Sequence, residues 1–241
     1  MKTIGIIGGM SPESTVLYYQ IINREINRRL GGNSSAKIIL DSLNFAEIVQ
    51  LQKSGQWEAT AERLVASARR LASAGADFLL IATNTMHKNA PAVEAAVAIP
   101  LLHVVDATAA AIQAQGLERV GLLGTCFTMA EDFYRERMGR HGISTPIPSQ
   151  RQDSGAWTPD FMAMEEINRI IFDELCRGEI KPGSAEFFRQ VIDDLREQGA
   201  QGVILGCTEI CLLINGENSP LPVFDSTRLH ALAAVDGALR D

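Results

Sequence analysis

Leu71–Thr85 reads LASAGADFLLIATNT, and Leu195–Glu209 reads LREQGAQGVILGCTE. The two stretches align without a gap. Each leaves a helical pattern at a glycine (Gly75, Gly199), enters a short apolar run, and opens into small polar residues. That is the order of a helix C-terminus, a buried strand and a strand-end loop. Two further pairs repeat in the same order. VGLLGTC (Val120–Cys126) mirrors IGIIGGM (Ile4–Met10), and PVFDST (Pro222–Thr227) mirrors HVVDAT (His103–Thr108), so that Asp106 and Thr108 match Asp225 and Thr227. Three ordered matches indicate an internal duplication.

Between the repeats, apolar runs alternate with helical patterns. TIGIIGG reads as a buried parallel strand. Ser11-Pro12-Glu13 then starts a helix with a capping hydroxyl, a proline in the first turn and an acid near the dipole. That helix stops at Gly31-Gly32. AKIILDSL, DFLLIAT and PLLHVVD read as three further strands, and Trp57 to Ala74 as a helix. The order predicts an α/β protein of two similar parallel-sheet domains related by a pseudo-twofold axis, with the active site in the cleft between them. The expected domains are residues 1–105 plus 226–241, and 106–225. The second half carries an insertion, Ser144 to Glu165, whose Pro- and Ser-rich composition reads as a loop around Trp157, a candidate lid. The EEINRIIFDELCRG segment after it reads as an amphipathic helix closing at Gly178.

The chain has 241 residues, 46% of them hydrophobic and 21% charged, with a formal net charge of −7. This is ordinary for a globular protein and unfavourable for general nucleic-acid binding. Apolar runs are too short to span a bilayer. The N-terminal apolar run breaks into Gly8-Gly9, which favours a first strand over a secretion signal and a cytoplasmic location. Cys126, Cys176, Cys207 and Cys211 show no metal spacing, and no zinc signature groups His87, His103, His141 and His230. Gly5, Gly8 and Gly9 miss the dinucleotide fingerprint, and no phosphate-binding Gly-Lys-Ser/Thr is present. No cofactor and no metal is expected.

Four loops remain as candidates for chemistry: Gly8 to Ser11, Thr83 to Thr85, Gly124 to Cys126, and Cys207 to Glu209. Backbone N–H groups at helix N-termini, with the hydroxyls of Ser11, Thr85, Thr125 and Thr208, suit a small carboxylate. The plainer reading of each hydroxyl is a helix cap. Cys207, just past a strand, is a candidate thiolate whose pKa a helix dipole would lower. Glu209 beside it is placed to orient the thiol or take its proton, although an adjacent carboxylate opposes ionisation. His87 reads as a hydrogen-bonding group near the Thr83 loop.

On IGIIGGMSPEST, TNTMH, VGLLGT, GAQGVILGCTEI and PVFDST the sequence resembles the aspartate/glutamate racemases that work without pyridoxal phosphate, over essentially the whole chain. GCTE, where glutamate racemases of cell-wall synthesis show GCTH, points to the aspartate branch. The resemblance implies a two-domain fold, a homodimer, an amino-acid substrate held by its α-carboxylate, and paired cysteines as acid and base. Cys207 carries over as the second cysteine; the first falls on Thr83. Substrate-binding positions carry over as Met10, Ser11, Gln52, Asn84, Thr85, Thr125 and Thr208. A lysine common in the family falls on Glu166, with Arg169 as its possible substitute. A hydroxyl is a far weaker acid than a thiol, so Thr83 can return a proton but is a poor base. The expected activity is a racemase for aspartate or glutamate, faster from the L enantiomer. The alternatives are a single-cysteine decarboxylase or isomerase, or an impaired amino-acid-binding variant.

Overall fold

The computed structural model describes residues 1–240. The chain forms two compact units, Met1–Ala107 with Thr227–Asp241, and Thr108–Ser226. The first contains β1 (Ile4–Gly8), α1 (Pro12–Leu30), β2 (Ile38–Ser42), α2 (Phe45–Lys53), α3 (Trp57–Ser73), β3 (Phe78–Ile81), α4 (Ala90–Ala96) and β4 (Leu101–Leu102). Its sheet is parallel throughout, in the order β2-β1-β3-β4. The strands are apolar on both faces because both are covered. Ile4, Ile6, Phe78 and Leu80 pack with Tyr18, Ile22 and Ile26 of α1 and with Ala231, Ala234 and Val235 of α10 (Ser226–Leu239). Ile7, Leu79 and Ile81, one residue out of phase, face Leu64, Ala68 and Leu71 of α3, Ile48 of α2 and Val93 of α4. Each fully buried Ile or Leu contributes about 1.5–3 kcal/mol, so this double-sided packing dominates the unit's stability.

The second unit repeats the plan. It contains β5 (Gly121–Leu123), α6 (Cys126–Ala130), α7 (Asp132–Arg140), β6 (Ser149–Arg151), β7 (Trp157–Pro159), α8 (Phe161–Arg169), α9 (Pro182–Glu197), β8 (Val203–Leu205) and β9 (Val223–Asp225). The parallel order is β5-β8-β9. Along the other edge of β5 runs the 144–146 segment, through Val120 N–H to Ser144 O and Leu122 N–H to Pro146 O, each at 2.9 Å. With that segment in the place of β2, the internal order matches that of the first unit, as the duplicated sequence requires.

Three segments differ from the sequence reading. PLLHVVD is a strand only at Leu101–Leu102. Helix α5 (Val104–Gln113) begins within it, because the Val104 and Val105 N–H groups bond histidine nitrogens instead of a neighbouring strand. The Ser144 to Glu165 insertion is not a plain loop: β6 and β7 pair antiparallel around a turn closed by Gln152 N–H to Ala156 O, with Gly155 at φ +83. The amphipathic segment starts earlier than expected, with Asp160 capping α8. It then widens into a π-turn at Ile170–Glu174 and ends at left-handed Gly178. The cause of the late widening is visible in Glu174. Its buried carboxylate accepts from Ser184 Oγ at 2.6 Å and pairs with Arg169 at 2.9 Å, bonds that hold the turn against the start of α9.

Candidate active-site loops

In the first unit the candidate loops follow β1 and β3, which are neighbours, so both leave at the carboxyl end of one parallel sheet. Gly9 turns at φ +82, and a Cβ there would collide with the Leu43 backbone. Only glycine fits. Its N–H donates to Thr15 Oγ1 at 2.8 Å, and Thr15 in turn donates to Ser11 O at 2.9 Å. Ser11 caps α1, its Oγ accepting from Ser14 N–H at 3.2 Å, and the Met10–Ser11 peptide is cis. Ser14 Oγ donates to Ala82 O at 2.8 Å and so joins the first turn of α1 to the end of β3. Met10, Ser11, Asn84 and Thr85 are buried, whereas Thr83 is only half-buried. Gln52 lies apart from these loops in sequence, in the last turn of α2.

His87 accounts for the shape of the Thr83 loop. A carbonyl only accepts, so His87 Nδ1 donates to Thr83 O at 2.8 Å, while Nε2 accepts from Val104 N–H at 3.2 Å. Both ring nitrogens are committed to backbone. The sequence reading of a hydrogen-bonding histidine holds, but a proton relay from Thr83 through His87 is not available in this arrangement.

In the second unit the loops follow β5 and β8, again neighbours in a parallel sheet. Gly124 and Gly206 permit close approach, because a Cβ on Gly206 would lie 2.9 Å from Leu123 O. Thr125 caps α6, accepting from Thr128 N–H at 3.4 Å. Cys126 Sγ donates to Met164 O at 3.4 Å. Glu209 Oε2 accepts from both Cys207 Sγ at 2.9 Å and Thr208 Oγ1 at 2.5 Å. Cys207, Thr208 and Glu209 are all half-buried, as Thr83 is.

Two electrostatic expectations are corrected. Burial first, and then the Glu209 carboxylate, push the Cys207 thiol well above its ordinary value. The turn after it, Ile210–Leu212, is too short to supply a helix dipole. Of the four loops, only the one before α1 opens a long helix; Thr85–Asn89 is a single 3₁₀ segment, and α6 spans five residues. Arg169, the candidate substitute for the family lysine, already pairs with Glu166 at 2.7 Å and with Glu174 at 2.9 Å. The groups that sequence reasoning missed are Ser14, Thr15, His103 and His230, which hold the loops from behind. Ser14 reaches Ala82 and His230 reaches Tyr18 and Leu102, partners far away in sequence that no spacing rule would have grouped, whereas Thr15 and His103 bond backbone groups within six residues. Among the described residues no cluster of three or more His, Cys, Asp or Glu is placed to hold a metal, and no helix is long and apolar enough to cross a membrane.

The chain is similar over its full length to a candidate Asp/Glu racemase structure from Yersinia pestis (48% identity, all of both chains covered, TM-score 0.90). It is likewise similar to an aspartate racemase homologue from Pyrococcus horikoshii OT3 (36% identity, all of both chains covered, TM-score 0.82). A glutamate racemase from Hydrogenobaculum sp. (strain Y04AAS1) is 28% identical over 158 residues, a stretch that spans 65% of this chain and 55% of that relative. The Asp/Glu/Hydantoin racemase family model matches residues 7–234, which contain all four loops. With loops of this composition at the carboxyl ends of two like-ordered parallel sheets, the chain belongs to the Asp/Glu/Hydantoin racemase family.

Proposed function

We propose that the protein is a cofactor-independent racemase of aspartate or glutamate in which Cys207 and Thr83 serve opposite faces of one α-carbon. The observation that carries this reading is the hydrogen bond from Cys207 Sγ to Glu209 Oε2 at 2.9 Å, in a half-buried loop whose sequence counterpart holds Thr83. Glu209 accepts the thiol proton as the substrate ammonium enters, because a nearby cation favours the thiolate. The thiolate takes the α-proton: the Cα–H bond breaks, an S–H bond forms, and the electron pair stays on the carbanion. Thr83 Oγ1 delivers its proton to the other face and regains one from water, and the hydroxide so formed takes the proton held by Glu209, which restores the Cys207 thiol and the Glu209 carboxylate. Thr83 donates to a carbanion far better than it abstracts, so the enzyme runs faster from the enantiomer that presents its α-hydrogen to Cys207, which we assign as L. Met10, Ser11, Asn84, Thr85, Thr125 and Thr208 hold the carboxylates and ammonium of the substrate, and the working form is a homodimer.

A second reading rests on the raised thiol. A thiol that stays protonated is suited to donate to one face of a carbanion, as a single-cysteine decarboxylase requires.

The test uses L- and D-aspartate and L- and D-glutamate in deuterated water, following α-deuteration and chirality together. Exchange with inversion is expected. Exchange with retention would leave Cys207 active and Thr83 idle, and no exchange with any of the four would overturn the racemase reading. Thr83→Cys is expected to accelerate the slow direction.

A further inference from the structure

Three imidazoles from separate segments gather behind Thr83. The His87 ring lies 4.5 Å from that of His103 and 5.6 Å from that of His230, between centroids. All three are buried: His87 sits in the turn after β3, His103 between β4 and α5, and His230 in α10. Each is held by backbone. Val105 N–H donates to His103 Nδ1 at 3.2 Å. His230 Nε2 donates to Leu102 O at 2.9 Å, and its Nδ1 accepts from Tyr18 OH at 2.8 Å. His87 spans Thr83 O and Val104 N–H. Val104 opens the helix in which the chain leaves the first unit, and His230 lies just past Thr227, where it returns. The backbone of residue 83 is therefore bonded, through a single ring, to the segment by which the chain departs.

From this arrangement we propose that His87 is a positioning residue: as the neutral Nδ1–H tautomer it fixes the Thr83 carbonyl, and with it the angle at which the Thr83 hydroxyl meets the substrate. This rests on the racemase reading above. The role needs a ring with a donor and an acceptor on opposite edges, separated by the width of an imidazole. Phenylalanine fills the space and makes neither bond. Glutamine can make only one of the two. His103 flanks the ring at a 57° tilt and His230 meets it in an edge arrangement at 66°, and the two contacts limit its rotation. His87 touches neither nucleophile nor substrate and acts through Thr83.

The test compares wild type, His87→Gln and His87→Phe in the deuterated-water assay and scores the ratio of inversion to total α-exchange. Abstraction by Cys207 does not depend on His87, so total exchange from the fast enantiomer persists while inversion falls. A displacement of the donor by about 1 Å costs up to ~100-fold, so a fall of roughly 10-fold to 100-fold is expected for Phe and a smaller one for Gln. A merely structural role would lower both quantities together. An unchanged ratio in folded variants would overturn the proposal. If the variants do not fold, ¹⁵N shifts of His87 in the wild-type protein decide: Nδ1–H neutral imidazole is expected, and Nε2–H or imidazolium overturns it. If the wild type exchanges no amino acid, the racemase reading falls separately. Amide exchange at Thr83 to Thr85 then scores the positioning role, with faster exchange expected in His87→Phe and no change refuting it.

Discussion

His230 makes stability depend on pH in a way that can be worked out in advance. Burial holds its imidazole at about 4, against an ordinary value of 6.5, with the Leu102 carbonyl and Asp106 opposing only in part. The folded state therefore binds a proton at His230 less readily than the unfolded chain does. The contribution is fully present above pH 6.5 and is lost as the pH falls towards 4. At about 1.36 kcal/mol per pH unit, the loss by pH 4 is about 3 kcal/mol. For a chain of this size that is about 6–12 °C in Tm. Carboxylates titrate in the same range, so the quantity to measure is a difference between proteins. His230→Phe loses the bonds to Tyr18 and Leu102 and is less stable at pH 7, but it carries no imidazole to titrate. Urea unfolding of both proteins at intervals from pH 7 to pH 4 should show the wild type losing about 3 kcal/mol more than the variant. A gap between the two that stays constant with pH would refute the reasoning, as would an NMR titration that puts His230 near 6.5.

Two further predictions concern the loops. Glu209→Gln removes the acceptor of the Cys207 proton. Burial, the larger cause, still holds the thiol up, so α-exchange at pH 7 should fall ~10²–10⁴-fold while thiolate absorbance titrates at lower pH than in the wild type; an unchanged rate would remove Glu209 from the mechanism. Gly9→Ala and Gly155→Ala share a positive φ, +82 and +83, but only the Gly9 methyl would strike backbone. Chemical unfolding should charge Gly155→Ala about 1 kcal/mol and Gly9→Ala at least about 2 kcal/mol more; equal costs would show that the Leu43 contact yields freely.

Strands β1, β3, β5 and β8 were legible in sequence because each is an uninterrupted apolar run closed by glycine or small polar residues, and buried parallel strands need that pattern. The start of α1 was equally plain, since Ser11 and Pro12 act within a few residues of one another. HVVDAT misled for the opposite reason. Its Val-Val pair has strand character, yet the N–H groups of Val104 and Val105 are taken by His87 and His103, one of them far upstream in the chain. The insertion showed its turn residues but not its pairing, because Ser149–Arg151 and Trp157–Pro159 are too short and too polar to announce a hairpin. For the candidate site, sequence picked out the strand-end loops and aligned Thr83 with Cys207 in the duplication. It did not give the state of the thiol.

By itself the sequence determined the duplication, the parallel α/β plan of each half and the positions at which chemistry-bearing residues leave the strands. These follow from local periodicity, glycine placement and self-similarity, all of which are properties of neighbouring residues. Tertiary structure alone decided that Cys207 is a thiol held high by burial and Glu209, that Arg169 is spent on Glu166 and Glu174, and that His87 grips the backbone on both sides of its ring. Burial, charge pairing and the choice of tautomer depend on what the fold brings alongside a side chain, and segments far apart in the chain supply it.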